Sequence, residues 1–137
     1  MSKASRDKGA RYERKLASFL TNSTLGLWGP FERRLEQWRK GGDDFVQPFE
    51  KFLSLEAKDV AAVSLGAWID QSVASAGTRI AFVIHHRRGN GDPARDFATT
   101  TVADLVEICH VLARYENEYG PIDPVTRPDT DPKEETQ

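Results

Sequence analysis

The sequence predicts an α/β domain in which a mixed β-sheet is flanked by helices, in the order α-β-β-β-α-β-β-α. Three observations carry that expectation. Residues 52–58 alternate apolar and polar side chains, and residues 80–84 form an unbroken apolar run bounded by charge. The segments at 7–21, 65–76 and 102–112 repeat their apolar residues at spacings of three and four. Alternation marks a half-buried strand, a short continuous apolar run marks a strand covered on both faces, and the longer spacing marks an amphipathic helix.

In the first helix Tyr12, Leu16, Phe19 and Leu20 fall within one arc together with Gly9, Ala17 and Glu13, while Arg11, Arg14, Lys15 and Ser18 take the opposite side. The helix therefore has a basic face, and one carboxylate on its apolar side. Gly and Ser at 22–30 mark a loop, after which residues 31–38 form a weakly alternating strand ending at Gly41-Gly42. Gly41-Gly42-Asp43-Asp44-Phe45-Val46 reads as a turn that delivers one or two carboxylates into a hydrophobic segment, although Asp is also an ordinary turn former.

The strand at 52–58 puts Leu53, Leu55 and Ala57 on one face and Ser54, Glu56 and Lys58 on the other. A second helix follows Ser64 as its N-cap, carries Leu65, Trp68, Ile69, Val73 and Ala76 as its stripe, and stops at Gly77. The apolar strand at 80–84 runs into His85-His86-Arg87-Arg88 and a Gly89-Asn90-Gly91-Asp92-Pro93 loop. A short Thr-rich strand at 97–100 leads to a last helix, opened by Thr101-Val102-Ala103-Asp104 at capping-box spacing. Its expected core face is Val102, Leu105, Val106, Cys109 and Leu112.

Composition bounds the function. A chain of 137 residues, 39% hydrophobic and 29% charged, suits one ordinary domain. The single cysteine, Cys109, excludes an internal disulfide and a multi-cysteine zinc site, which points to a reducing, cytoplasmic setting. No apolar run approaches the roughly 18 residues of a membrane span, so no membrane partner is expected. The formal net charge of -2 hides an asymmetry: residues 1–40 hold ten basic against four acidic side chains, whereas residues 120–137 hold five acidic against two basic. The C-terminal stretch also carries four of the seven prolines and few apolar residues. Residues 1–116 are read as the folded domain, and residues 117–137 as a disordered acidic tail.

A Glu-x-Lys triplet is weak by itself, since an exposed edge strand produces it readily. Here Glu56 and Lys58 end an apolar strand and follow a carboxylate-bearing turn. Glu13 is a third element, because a carboxylate on a core face is paired or bound to metal. The pairing alternative is a salt bridge to Lys58 or Arg33. Carboxylates from a helix, a turn and a strand, together with one lysine, suit a hard divalent cation and a water that attacks phosphorus. His85 and His86 point to opposite faces of a strand and lack a cysteine pair, which argues against zinc. Arg87 and Arg88 beside the Gly-rich loop, and Lys8, Arg11, Arg14 and Lys15 on the first helix, are candidate DNA-phosphate contacts. Gln71, at the rim of its helix's stripe, is a further candidate.

Lys8-Gly9-Ala10-Arg11-Tyr12-Glu13-Arg14, Gly42-Asp43-Asp44-Phe45 and Leu55-Glu56-Ala57-Lys58 together resemble the PD-(D/E)xK nuclease superfamily, in particular the small archaeal-type and phage-encoded Holliday junction resolvases, over about residues 6–113. Trp68-Ile69-Asp70-Gln71 and His85-His86-Arg87-Arg88-Gly89 are similar to the phage members. The resemblance implies a restriction-endonuclease-like core with catalytic Glu13, Asp44, Glu56 and Lys58. It implies Mg2+, replaceable by Mn2+, held by Asp44, Glu56 and Glu13, with Lys58 assisting the attacking water. Asp44 is preferred to Asp43 because the family's aspartate is followed by an apolar residue, here Phe45; no Pro precedes it. The expected activity is metal-dependent cleavage of branched DNA in recombination or replication by a homodimer, in the bacterial host cytoplasm if the chain is phage-encoded. Alternatives are a flap, nick or restriction-type nuclease with the same site, or a noncatalytic DNA-binding module.

Overall fold

The alternating segment and the apolar run become neighbouring strands in the computed structural model, which describes residues 2–23, 29–35 and 43–124. Its elements are α1 (Lys3–Ser23), β1 (Glu32–Arg33), β2 (Phe45–Val46), β3 (Leu53–Lys58), α2 (Leu65–Ala76), β4 (Ile80–His85), β5 (Phe97–Thr99) and α3 (Val102–Tyr119), with a 3-10 turn at Pro93–Arg95. The described residues thus form an α/β structure whose three helices and five strands follow the expected order. β3 and β4 pair in parallel, with Glu56 opposite Val83 and Lys58 opposite His85; β4 and β5 pair antiparallel, so this sheet is mixed. Parallel neighbours need a crossover, and α2 supplies it. β1 and β2 form a separate antiparallel pair. Asp44 joins the two sheets: its N–H donates to Leu55 O at 3.0 Å, and its carbonyl accepts from Arg34 N at 2.8 Å.

The core sits between α1 and β3. Tyr12, Leu16 and Ala17 pack with Phe31, Phe45 and Leu55, and Leu20, Leu53, Ala57, Phe82 and Ile84 close around them. Period-two alternation consequently turns Ser54, Glu56 and Lys58 to the other face of β3. Thr21 fastens the end of α1 to the start of β1, its hydroxyl accepting from Phe31 N at 2.9 Å and donating to Phe31 O at 3.2 Å. α2 has the expected limits. Gly77 ends it at φ +67°, a conformation L side chains rarely adopt, whereas Ser64 holds the N-cap position without a side-chain capping bond.

Three expectations need correction. The strand foreseen at 31–38 is only two residues long among the described residues, and positions 36–42, including Gly41-Gly42, lie outside them. α3 runs to Tyr119, past the boundary set at 116; residues 125–137 of the expected tail lie outside the described residues.

The third correction is larger: none of α3 is buried, and Val102 (77% exposed), Leu105, Val106, Cys109 and Leu112 face outward. The physical reason lies at the helix N-terminus. Thr101 caps it by accepting from Asp104 N at 3.1 Å, but Asp104 does not close the capping box. Its carboxylate accepts from Ala81 N at 2.9 Å, and Thr100 Oγ1 donates to Ala81 O at 2.7 Å. α3 is anchored to β4 by its first turn. The amphipathic period requires that a face be covered without specifying by what.

Candidate active site and basic groove

Asp43 and Asp44 are adjacent but have different work. Asp43 is buried, with its side chain 3% exposed, and receives Arg79 bidentately at 2.8 and 3.0 Å as well as the Ser54 hydroxyl at 2.9 Å. Arg79 also donates to the carbonyls of Ala76 and Glu50, so it staples the end of α2 to the turn before β3. Gln47 shapes that turn, donating to Leu53 O at 3.0 Å and accepting from Phe49 N at 2.8 Å. Arg34 braces it through Glu50.

Asp44 meets the Glu-x-Lys segment instead. Its Oδ2 accepts from the N–H of Ala57 at 2.8 Å, the residue between Glu56 and Lys58. Glu56 is 7% exposed and points away from the α1 core, as does Lys58, whose ammonium is in no hydrogen bond or ion pair among the described residues. Glu13 takes the pairing alternative: Arg33 Nε donates to its Oε1 at 2.9 Å, holding it at β1. Among the described residues no group of three or more His, Cys, Asp or Glu side chains could hold a metal ion. The three-carboxylate set implied by the resemblance is therefore not assembled. Asp44 is instead tied to the backbone of the residue that follows Glu56.

Beyond Lys58 the chain enters an open groove of about 510 Å³ lined by Lys8, Arg11, Tyr12, Arg14, Lys15, Asp59 and His86. It continues past Asp59 and His86 to Arg88 and Gly89. The exposed face of α1 thus brings four of the expected DNA contacts to one surface, and the β4 strand end adds Arg88. Lys8 lies 3.7 Å from Asp59, and Lys15 donates to Gly91 O at 2.8 Å. Arg87 does not line the groove: its guanidinium sits 4.9 Å over the Phe97 ring. Gln71 is exposed on α2. His85 and His86 take opposite sides, His85 against Trp68 and Phe97, His86 against Tyr12. Burial lowers the His85 pKa, an effect the Asp96 charge opposes.

Asp96 is the residue that motif reading missed. Its side chain is 2% exposed and accepts from Tyr12 Oη at 2.8 Å, Asn90 Nδ2 at 2.9 Å and Arg87 N at 3.0 Å, with His86 Nδ1 at 3.2 Å. Burial by itself raises this carboxyl's pKa, but the donors outweigh it and hold it below the usual value. The stability this contributes is present above the ordinary carboxylate range and is lost as pH falls through the lowered pKa. Burial, then the Asp96 bond, pushes the Tyr12 phenol upward, so it remains a donor. A register argument could have found the pair: with His85 opposite Phe97, an antiparallel hairpin sets His86 opposite Asp96.

These features define an α/β protein with a carboxylate and a lysine on one strand, a second carboxylate bonded to that strand's backbone, and a basic groove. Comparison with family models, curated proteins and solved structures gives no match in any of the three. No helix among the described residues is long and apolar enough to cross a membrane.

Proposed function

We propose that the chain is a magnesium-dependent DNA endonuclease of the PD-(D/E)xK type, with a restriction-endonuclease-like core, acting on branched DNA in a cytoplasmic setting. One observation carries this reading: Asp44, twelve positions before Glu56, hydrogen-bonds the backbone between Glu56 and Lys58. Asp44 and Glu56 would hold Mg2+, or Mn2+ in its place, and the bound ion supplies charge neutralisation on phosphoryl oxygens and a more acidic water. Lys58 donates to the attacking water and orients it toward phosphorus. The groove residues grip the flanking phosphates. Magnesium-dependent cleavage of a labelled panel of junction, flap, nicked and linear DNA tests the assignment; a folded protein that binds all four and cuts none overturns it.

The capture of Glu13 by Arg33 favours a second reading, a DNA-binding module without catalysis. Glu13→Gln separates the two roles of that carboxylate. A structural partner loses melting temperature and keeps cleavage in the folded fraction, whereas a metal carboxylate loses cleavage.

Binding through the groove is dominated by phosphate contacts. Replacing Arg11, Arg14 and Lys15 together with Ala is expected to weaken all DNA shapes alike and to lower the slope of log K against log salt by about 2–3, at roughly 0.9 per lost contact. Anisotropy titrations across a salt series measure this, and an unchanged slope removes the groove from the binding surface.

Paired incisions across a four-way junction need two active sites, and α3 offers the surface for a second copy of this chain. Val102 and Cys109 alternate with Leu105 and Leu112 at the three- and four-residue spacing of a helix-pairing seam, along a helix of about 27 Å. Leu105→Glu with Leu112→Glu is expected to convert a dimer into a folded monomer in sedimentation equilibrium. A wild-type chain that sediments as a monomer overturns the seam.

A further inference from the structure

We propose that His86, held by Asp96, is a phosphate-binding residue of the groove whose protonated ring donates to a DNA phosphodiester oxygen and makes DNA affinity pH-dependent. This rests on the DNA-binding part of the reading above, and it adds a residue to which the family resemblance assigns no role.

Asp96 has almost no solvent access and is surrounded by donors, so it serves as an acceptor only. Nδ1 of His86, 3.2 Å from Asp96 Oδ1, therefore carries the hydrogen. With Nδ1 committed, Nε2 is the atom on the far side of the ring, in a side chain 26% exposed that lines both parts of the groove. Two further contacts hold the residue: its backbone N–H donates to Lys58 O at 3.0 Å, and its ring centroid lies 5.3 Å from that of Tyr12, the two planes tilted at 54°. A histidine so oriented is a lone-pair acceptor at Nε2 when neutral and a charged donor when protonated.

The groups facing it define what it binds. α1 contributes Lys8, Arg11, Arg14 and Lys15 beside Tyr12; the segment after β3 contributes Asp59, partly offset by Lys8; the residue before β5 is Asp96; and its own loop carries Arg88. Four α1 cations and Arg88 against one groove-lining carboxylate select an oxyanion. Position selects a phosphate beside the hydrolytic strand, since His86 is bonded to the Lys58 carbonyl.

The experiment measures junction affinity by anisotropy in EDTA, where no cleavage occurs, from pH 8 to 5.5 at constant ionic strength. Wild-type affinity is expected to rise about three- to tenfold on acidification, the size of one ordinary net hydrogen bond. His86→Gln is expected to flatten that rise while melting near wild type. His85 and His110 remain in this variant, so the difference isolates His86. Asp96→Asn, which also tests the orienting bond, is read only on its folded fraction and is expected to reduce the rise. Following the His86 imidazole 15N resonances while titrating the junction or inorganic phosphate distinguishes the ligand: a shift of Nε2 with the junction supports the proposal, and a shift with inorganic phosphate but none with the junction overturns a DNA-backbone site.

A His86→Gln protein that keeps the full pH dependence also overturns it. The nuclease assignment stands apart from these results, because junction cleavage with magnesium persists if only the His86 contact is wrong. Conversely, pH-dependent binding persists if only the catalytic assignment is wrong.

Discussion

Asp44→Asn and Glu56→Gln are each expected to lower single-turnover cleavage of a four-way junction by about 10²–10⁴-fold, with DNA affinity in EDTA and melting temperature close to wild type. Both substitutions keep shape and remove charge. An Asn at 44 still presents an oxygen to the Ala57 N–H, so the bond that ties Asp44 to β3 survives while an anionic ligand is lost. Glu56 is 7% exposed, and its amide isostere avoids opening a cavity. Lys58→Met is expected to bind the junction and fail at hydrolysis, because no hydrogen bond or ion pair among the described residues depends on its ammonium. Near wild-type rates from folded Glu56→Gln and Lys58→Met proteins sink the nuclease assignment.

Arg79→Met is expected to produce the largest loss of stability of any single change discussed. It leaves the Asp43 carboxylate, 3% exposed, with the Ser54 hydroxyl in place of a bidentate guanidinium. Breaking a buried pair by removing one partner costs about 3–5 kcal/mol. For a domain of this size that corresponds to a fall in melting temperature of roughly 10 °C or more. Adding Asp43→Asn to Arg79→Met is expected to recover part of the loss, since the buried carboxylate charge that the guanidinium balanced disappears with it. Thermal melts of the single and double variants check both statements, and a wild-type melt for Arg79→Met removes Asp43 from the structural role assigned to it. Together with Asp44→Asn, this series separates two neighbouring aspartates, one by stability and the other by activity.

The doublet shows why motif reading stops where it does. Asp43 and Asp44 are identical in type and adjacent in sequence, so only their partners distinguish them. The preference for Asp44 came from the apolar Phe45 behind it, and Phe45 is indeed fully buried. What makes Asp43 structural is Arg79, thirty-six positions away on the far side of two strands and a helix. Glu13 is similar: its place on the core side of α1 was legible, and so was the need for a partner, but the choice of Arg33 over Lys58 required the position of β1.

Local periodicity and punctuation determined the element order, the limits of α2, the extent of β3 and the separation of Leu55 from Glu56, because backbone geometry fixes which residues share a face within one element. Charge counting located the basic face of α1 for the same reason. The tertiary structure alone decided which elements meet. It bonded Asp44 to the backbone of the Glu-x-Lys strand, set Asp96 against Tyr12 and His86, and left the apolar face of α3 uncovered among the described residues. These are contacts between residues far apart in the chain. They depend on how helices and sheets pack and on which buried polar group finds which partner, and a pattern confined to one element carries no information about its neighbour's position.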